Sequence, residues 1–168
     1  MNTPNLEARR AQLVRSVELY FEACNEASRA KFEEALTPGC THYFPPGMGS
    51  PYLHRDAIIE LWANCVRDFG SRWTIDRLVC DERADLVVIE WTHWKPKLIE
   101  HIRGSEWYTF DEEGRITSIW AHYASPRDPN RPANELEGFP YAAKQYPMLP
   151  PDAPDTPTRR AAEAGEPV

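Results

Sequence analysis

The stretch WYTFDEEGRITSIWAHYA (107–124) determines the predicted fold. Apolar and polar residues alternate on both sides of its centre, and aromatic and β-branched residues are frequent, as in half-buried β-strands. The central Glu112-Glu113-Gly114 predicts a tight turn, because glycine adopts the backbone angles that such turns require. The sequence therefore predicts an antiparallel hairpin, formed by residues 98–110 and 115–124.

Three further segments have the same two-residue period. WTIDRLVC (73–80) and DLVVIEWTHW (85–94) predict long strands that precede the hairpin. CTHYF (40–44) predicts a short strand, and the proline- and glycine-rich residues 45–51 predict a loop after it. The C-terminal half of the domain is therefore expected to be a meander of long strands.

The N-terminal half has helical spacing instead. Residues 5–27 place apolar side chains three, four and seven apart, which predicts a helix. Ser28 is expected to cap a second, shorter helix that Pro38-Gly39 stops. A third helix is predicted over 55–69 and ends at Gly70. Three helices followed by a meander predict an α+β fold, in which the helices cover one face of a curved antiparallel sheet.

Composition restricts the class of protein. A chain of 168 residues suits one domain, and its net charge of −7 gives no basic face for nucleic acid. No apolar run is long enough for a membrane span, and the N-terminus lacks the apolar core of a secretory signal, so we expect a cytoplasmic protein. The four cysteines are widely spaced, which favours buried free thiols over a metal site. No phosphate-binding glycine motif or redox motif is present, so no cofactor is expected.

The character of the chain changes after Ser125. Residues 125–168 are rich in proline, which excludes regular elements and favours an extended tail. The sequence therefore predicts a folded domain over 1–124 and a Pro-rich C-terminal extension over 125–168, whose end is disordered.

The order of these elements resembles the nuclear transport factor 2-like superfamily, in particular its SnoaL-like branch. The matching phrases are VELYFEACNEASRAKFEEALTPGCTHYFPP (17–46), HRDAIIELW (54–62), DLVVIEWTHW (85–94) and WYTFDEEGRITSIWAHYA (107–124). The resemblance implies a cone-shaped sheet that encloses a ligand pocket together with the three helices, and it implies a dimer. The superfamily contains isomerases, dehydratases, cyclases, epoxide hydrolases and non-catalytic binding proteins, so the fold alone leaves the activity open.

Similarity to the ketosteroid isomerases of this superfamily implies two site residues. Tyr20 matches their helix-borne oxyanion tyrosine, and Glu106 matches the protonated acid of their oxyanion hole. Phe44 stands where those enzymes have the general-base aspartate, and Asn25 stands where dehydratase-like relatives have an aspartate. An ordinary steroid isomerase or a scytalone-type dehydratase is therefore disfavoured.

Strand alternation predicts which side chains line the pocket. On the short strand, His42 and Phe44 are expected to point inward. The inner sets predicted on the long strands are Val88, Glu90, Thr92 and Trp94; Glu106, Tyr108 and Phe110; and Ile119, Ala121 and Tyr123. The residues expected on the outer face, where the second subunit of a homodimer would bind, are Trp91, His93, Trp120 and His122.

Glu90 interrupts an otherwise apolar run, and a buried carboxyl costs several kcal/mol unless it is paired or protonated. His101 and Arg103 flank Gly104, where a β-bulge could turn either side chain inward. The predicted catalytic residues are His42, Glu90, Glu106, Tyr20 and Tyr108. The predicted substrate-binding residues are Phe44, Thr92, Trp94, Tyr123, Phe110, His101, Arg103 and His54.

Structural roles are the alternative for each candidate. His42 could be a satisfied structural histidine, the carboxyls could bond arginine or tyrosine side chains, Tyr20 could belong to the core, and His54 could cap the third helix.

These residues predict a cofactor-independent lyase or isomerase that acts by acid–base chemistry on a hydrophobic, aromatic small molecule. His42 would be the base, one of Glu90 and Glu106 would be ionised and the other protonated, and the tyrosines would donate to a developing oxyanion. The aromatic pocket resembles that of superfamily lyases that process lignin-derived diaryl compounds, including ones that release formaldehyde. The alternatives are a SnoaL-type cyclase, an epoxide hydrolase, and a non-catalytic small-molecule binding protein.

Overall fold

The computed structural model describes residues 3–49, 51–81, 83, 85–123, 136–140 and 142–143. The chain divides into two compact units, residues 1–138 and 139–168, and the helices and strands described below belong to the first. Apart from 136–140 and 142–143, the predicted Pro-rich extension lies outside the described residues. The predicted boundary at 124 and the disordered end therefore stay predictions.

Three helices form as predicted: α1 (Thr3–Glu26), α2 (Arg29–Ala35) and α3 (Arg55–Phe69). Gly70 ends α3 with a φ of 66°, which glycine adopts without strain. The predicted stop of α2 at Pro38-Gly39 is wrong, because α2 ends at Ala35 and Leu36 is already extended. Pro38 and Gly39 lie instead at an irregularity within the first strand, where a residue without a backbone N–H is tolerated.

Six strands form one sheet: β1 (Leu36–Tyr43), β2 (Tyr52–Leu53), β3 (Arg72–Cys80), β4 (Leu86–Lys95), β5 (Glu100–Phe110) and β6 (Ile116–His122), in the order β2-β1-β6-β5-β4-β3. The predicted α+β fold with a curved sheet is confirmed. The sheet is mixed rather than wholly antiparallel, since β1 runs parallel to β6. That pairing joins strands far apart in sequence, which local alternation does not reveal.

The helices pack on one face of the sheet, which we call the inner face. Their apolar stripes and the inner side chains of the strands form a single core, and burial of this apolar surface is the main force that stabilises the fold. Fully buried members include Leu13, Val17, Phe32, Ile58, Val87, Ile116 and Ile119. No helix in the described part of the chain is long and apolar enough to cross a membrane.

The pairing of β4 with β5 decides which residues of β4 face inward. Glu106 lies opposite Ile89, and Tyr108 lies opposite Val87, so these four side chains share the inner face. The inner residues of β4 are accordingly Val87, Ile89, Trp91 and His93, all buried. The predicted orientation of β4, with Val88, Glu90, Thr92 and Trp94 inside, is therefore wrong by one residue, which moves every side chain to the other face.

Candidate functional site

A cavity opens between α3 and the inner face of the sheet. Its empty space, together with the open solvent at its mouth, is about 570 Å³. The residues that line it are Phe44, Met48, Tyr52, Leu61, Trp62, Cys65, Phe69, Trp73, Trp91, His93, Lys95, Ile102, Glu106 and Tyr123. Half of these residues are Phe, Tyr or Trp, so the cavity suits a flat apolar molecule that stacks on rings.

Glu106 is the carboxyl among the described lining residues. It is 5% exposed, and alternation along β5 places Tyr108 beside it on the inner face. The Tyr108 hydroxyl donates a hydrogen bond to Glu106 Oε2, and His42 Nε2 lies 3.5 Å from Glu106 Oε1. The His42 contact does not have hydrogen-bond geometry, and Nε2 has no other partner in the described residues. A hydrogen bond therefore fixes Oε2 of Glu106, whereas Oε1 makes the longer contact with His42.

Behind Glu106, a row of polar groups continues into the core. Trp62 Nε1 donates to the Tyr20 hydroxyl at 2.7 Å, and that hydroxyl lies 3.4 Å from His42 Nδ1. The His42 ring stacks on Phe44, with 4.0 Å between ring centroids. We call the row from Trp62 through Tyr20 and His42 to Glu106 and Tyr108 the buried polar chain.

The two tyrosines of the buried polar chain keep their protons. Burial raises the pKa of Tyr20 and of Tyr108 well above the ordinary value, and the charge of Glu106 adds to both shifts. Both phenols therefore act as hydrogen-bond donors. Tyr20, Tyr108 and His42 are at most 1% exposed and do not line the cavity, so the structure places them behind Glu106 rather than beside a ligand.

The structure thus brings together four of the five predicted catalytic residues: Tyr20, His42, Glu106 and Tyr108. The fifth, Glu90, points from the outer face, where its Oε2 lies 3.4 Å from Arg77 Nε. Its side chain is 59% exposed. An ionised–protonated carboxyl pair of Glu90 and Glu106 is therefore not formed, because the sheet separates the two groups.

Of the predicted substrate-binding residues, Phe44 and Tyr123 line the cavity. The others do not. Phe110 packs against the core, and His54 is the exposed N-cap of α3, without a side-chain capping bond. The predicted bulge at Gly104 is also absent, because β4 and β5 pair without a register shift through this residue.

Continuous pairing leaves the remaining candidates on the outer face. Arg103 Nε donates to Thr92 Oγ1 at 3.3 Å, and Thr92 donates to Asp76 at 2.6 Å. The Trp94 ring lies 5.2 Å from the His101 ring, and Trp94 is 41% exposed. These four residues therefore have partners among themselves or with Asp76, on the side of the sheet away from the cavity.

Changing Glu90 to Gln should leave both stability and cavity chemistry unchanged. An exposed ion pair such as Arg77–Glu90 contributes less than about 1 kcal/mol, and the side chain does not reach the cavity. Urea unfolding and ligand titration measure both effects. A loss of ligand binding in a folded Glu90→Gln protein would mean that β4 faces the other way.

Sequence reasoning missed His93 and Ser71. His93 lines the cavity, its ring stacks on Trp73 with 4.3 Å between centroids, and its Nε2 lies 2.8 Å from Ser71 Oγ. Burial, assisted by the charge of Lys95, lowers the pKa of His93 to about 4. His93 pairs with Ile102, which lies four residues before Glu106 on β5, so His93 and Glu106 share the inner face. This pairing is the signal that identifies His93 as a cavity residue.

The buried His93 makes stability depend on pH. Because the pKa of His93 falls from 6.5 to about 4 on folding, the unfolded chain binds more protons between these values, and the free energy of unfolding drops as pH falls through that window. The loss should reach on the order of 2–3 kcal/mol near pH 4. Urea unfolding at pH 7, 5 and 4 measures it.

His93→Gln is the control for this pH dependence, since glutamine does not titrate. Carboxyl groups such as Asp81 and Asp111, whose pKa values are lowered in the folded protein, also lose stabilisation in acid but are common to both proteins. The difference between the two curves therefore isolates His93. Parallel curves from pH 7 to pH 4 would contradict the assignment.

Comparison with known proteins identifies the family to which this fold belongs. The family model described as a SnoaL-like domain matches residues 17–119. A protein of unknown function with a cystatin-like fold from Methylobium petroleophilum PM1 is 38% identical, with 86% of this chain and 97% of that chain covered and a TM-score of 0.80. No curated protein matches the sequence.

Two more distant structures share the fold. A Mycobacterium tuberculosis protein, solved in complex with estradiol-17beta-hemisuccinate, is 12% identical, with 67% of this chain and 93% of that chain covered and a TM-score of 0.59. The epoxide hydrolase/cyclase-like enzyme SalBIII, described for pyran ring formation in the polyether salinomycin, is 20% identical, with 70% and 92% covered and a TM-score of 0.55. At these identities the likeness shows the fold alone. Since the family match spans most of the helices and strands, the chain belongs to the SnoaL-like domain family and has the nuclear transport factor 2-like fold.

Proposed function

We propose that this protein is a cofactor-independent enzyme that performs acid–base chemistry on a small hydrophobic, aromatic molecule, with Glu106 exchanging the proton. The observation that carries the proposal is a single carboxyl group, among the described lining residues, on the wall of a largely apolar cavity. A buried carboxyl is costly unless it is paired or protonated, so its presence on an apolar wall favours a functional role.

The surroundings of Glu106 support this role. The hydrogen bond from Tyr108 fixes one carboxyl oxygen, which restricts the direction in which the other can act. The second oxygen faces His42 Nε2 across a loose contact. Such contacts often shorten only when a ligand is bound. His42 and Tyr20 then serve as positioning residues, whose polar groups respond to the change of charge on Glu106 as it takes up or gives up the proton.

The aromatic wall supports a hydrophobic, ring-containing substrate. Trp62, Trp73 and Trp91 offer faces and edges for stacking. The fold neighbour solved with an estradiol ester shows that this fold accommodates a molecule of that kind in another protein. Within this class, a lyase or isomerase is our first candidate, and a lignin-derived diaryl compound that releases formaldehyde is a substrate to test.

A cyclase or an epoxide hydrolase is the alternative reaction for the same site. The fold neighbour SalBIII is described as epoxide hydrolase/cyclase-like, which supports both reactions as alternatives for this site. A receptor without catalysis is the alternative from another class, and the steroid-bound neighbour favours including it as well.

The test uses 5-nitrobenzisoxazole, a small aromatic molecule that opens when a base removes its ring C–H proton and the N–O bond breaks. The reaction needs no acid partner or cofactor, so it reports on a base in an apolar cavity without knowledge of the natural substrate. We expect a rate at least about 10²-fold above that of acetate at equal concentration. Saturable quenching of tryptophan fluorescence without turnover would favour the receptor, and the absence of both would contradict the proposal.

A homodimer and a cytoplasmic location complete the proposal. Two of the four residues expected at the dimer surface, Trp91 and His93, lie inside, but the outer face still exposes Trp94, Trp107 and Val79. The four cysteines are free thiols, which suits a reducing compartment. Light scattering at micromolar concentration should give the mass of two chains, and a monomer would contradict the dimer.

A further inference from the structure

A second polar group lies on the cavity wall, away from Glu106. In the pairing of β4 with β5, His93 lies opposite Ile102 and Glu106 lies opposite Ile89. Four residues of strand therefore separate the two positions, about 13 Å along the strand. Trp91 lies between them on the same face. The cavity thus presents an aromatic wall with a polar side chain at each end.

The hydrogen bond between Ser71 and His93 fixes where the imidazole proton sits. Ser71 is fully buried, and in the described residues its hydroxyl has His93 Nε2 as its hydrogen-bond partner, at 2.8 Å. If Nε2 carried the proton, the buried O–H of Ser71 would have no acceptor, which is unfavourable. Ser71 therefore donates to Nε2, and Nε2 is unprotonated.

The remaining ring nitrogen then carries the proton. Burial and Lys95 lower the pKa of His93 to about 4, so the ring is neutral near pH 7 and its single N–H is at Nδ1. Nδ1 makes no hydrogen bond within the part of the chain that the structure describes. It is therefore the atom that His93 can offer to a ligand.

Packing holds this donor in place. The His93 ring stacks on Trp73, and Ser71 follows Gly70, whose positive φ ends α3 and directs the chain into β3. A ring fixed on one face and hydrogen-bonded at Nε2 has little freedom to turn. Lys95, which also lines the cavity, places a positive charge in the same region, so both groups favour an electron-rich oxygen over a cation or a hydrogen-bond donor.

We propose that His93 is a specificity-determining residue, which donates its Nδ1–H to the carbonyl oxygen of a two-ring aromatic ligand whose other end meets Glu106. Ser71 is a positioning residue that selects the tautomer. The contact between the ligand and Glu106 rests on the proposed function of Glu106, whereas the assignment of His93 as a donor rests only on the geometry around His93. The substrate class is thereby narrowed to elongated aromatic carbonyl compounds.

A matched pair of probes tests the donor. 2-Acetylnaphthalene and 2-isopropenylnaphthalene have nearly the same shape, and only the first has an acceptor oxygen. Quenching of tryptophan fluorescence should show about tenfold tighter binding of the ketone by the native protein. In His93→Phe the preference should vanish, with the affinity for the hydrocarbon retained. Equal affinities for the two probes in the native protein would overturn the proposal.

The tautomer provides a readout that needs no folded variant of His93. Long-range ¹H–¹⁵N correlation of the native protein should show one histidine with Nδ1 protonated and Nε2 unprotonated at pH 7, and Ser71→Ala should weaken or reverse that preference. A spectrum in which every histidine carries its proton at Nε2 would also overturn the proposal.

Glu106→Gln separates this inference from the proposed function. The ketone preference should persist in that variant, because Glu106 lies at the other end of the cavity. In the native protein, preference for the ketone without any turnover of 5-nitrobenzisoxazole would support the donor at His93 and contradict the enzyme. Turnover by the native protein without a preference for the ketone would support the enzyme and contradict the donor at His93.

Discussion

Changing Glu106 to Gln should lower the turnover of 5-nitrobenzisoxazole by at least about 10²-fold, with the fold intact. The amide cannot remove a proton from carbon, and a positioned carboxylate typically supplies a factor of 10² to 10⁴. The substitution preserves shape, and the amide oxygen can still accept the hydrogen bond that the Tyr108 hydroxyl donates to Glu106 Oε2. Initial rates, with circular dichroism and urea unfolding on the same samples, measure the effect.

Glu90→Gln is the matched control for this experiment. The same chemical change is made on the neighbouring strand, one residue from the position that pairs with Glu106 but on the outer face. Its turnover should equal that of the native protein. Equal turnover in Glu106→Gln would contradict the assignment of Glu106, and a loss in both variants would indicate a general effect of removing charge rather than the loss of a base.

The positions of the helices could be predicted because they depend on local signals. The apolar spacing of α3 and the glycine that ends it lie within sixteen residues, and both ends of this helix were predicted correctly. The inner face of β5 is predicted in another way: the resemblance to the ketosteroid isomerases implies that Glu106 faces the pocket, and strand alternation then puts Tyr108 on the same face. The structure has both residues buried on that face, opposite Ala121 and Ile119 of β6. The helix ends are thus decided by neighbours in sequence, whereas the orientation of β5 depends on the resemblance.

The face of β4 could not be predicted in that way. Both of its rows contain apolar and polar residues, since Trp91 and His93 on one side are matched by Thr92 and Trp94 on the other. Alternation therefore does not distinguish the two faces, and the choice depends on the pairing of Ile89 with Glu106. The parallel pairing of β1 with β6 is likewise fixed by contacts between distant parts of the chain.

The same pairing explains why His93 was missed as a site residue. Its assignment followed from the wrong face of β4, and its partner Ser71 lies beyond the end of α3, about twenty residues away. Neither residue belongs to a sequence motif. A buried hydroxyl and a buried imidazole become informative only when their distance and the aromatic wall around them are known.

Gly104 lies in close contact with Trp91 and with the end of β6, and replacing it with Ala should be strongly destabilising. A Cβ atom at this position would lie 2.6 Å from the backbone oxygen of His122, 2.6 Å from Trp91 Cζ2 and 2.9 Å from Tyr123 Cβ. The first of these atoms belongs to the β6 backbone and cannot rotate away. We expect a loss of about 3 kcal/mol or more in the free energy of unfolding, at the upper end for overpacking.

Gly39→Ala is the control, because it adds the same methyl group to another strand of the sheet. Among the described residues, apart from its two chain neighbours, nothing lies within 4 Å of its Cβ position, and its φ is not positive. Stability should therefore stay unchanged or rise by about 0.4–1 kcal/mol. In Gly104→Ala, the added methyl group would press on Trp91, which lines the cavity, so naphthalene probes should also bind more weakly. Urea unfolding measures the first effect and fluorescence quenching the second. If Gly104→Ala matches the native protein in both, Trp91 does not pack across Gly104, and the aromatic wall between His93 and Glu106 is not built as described.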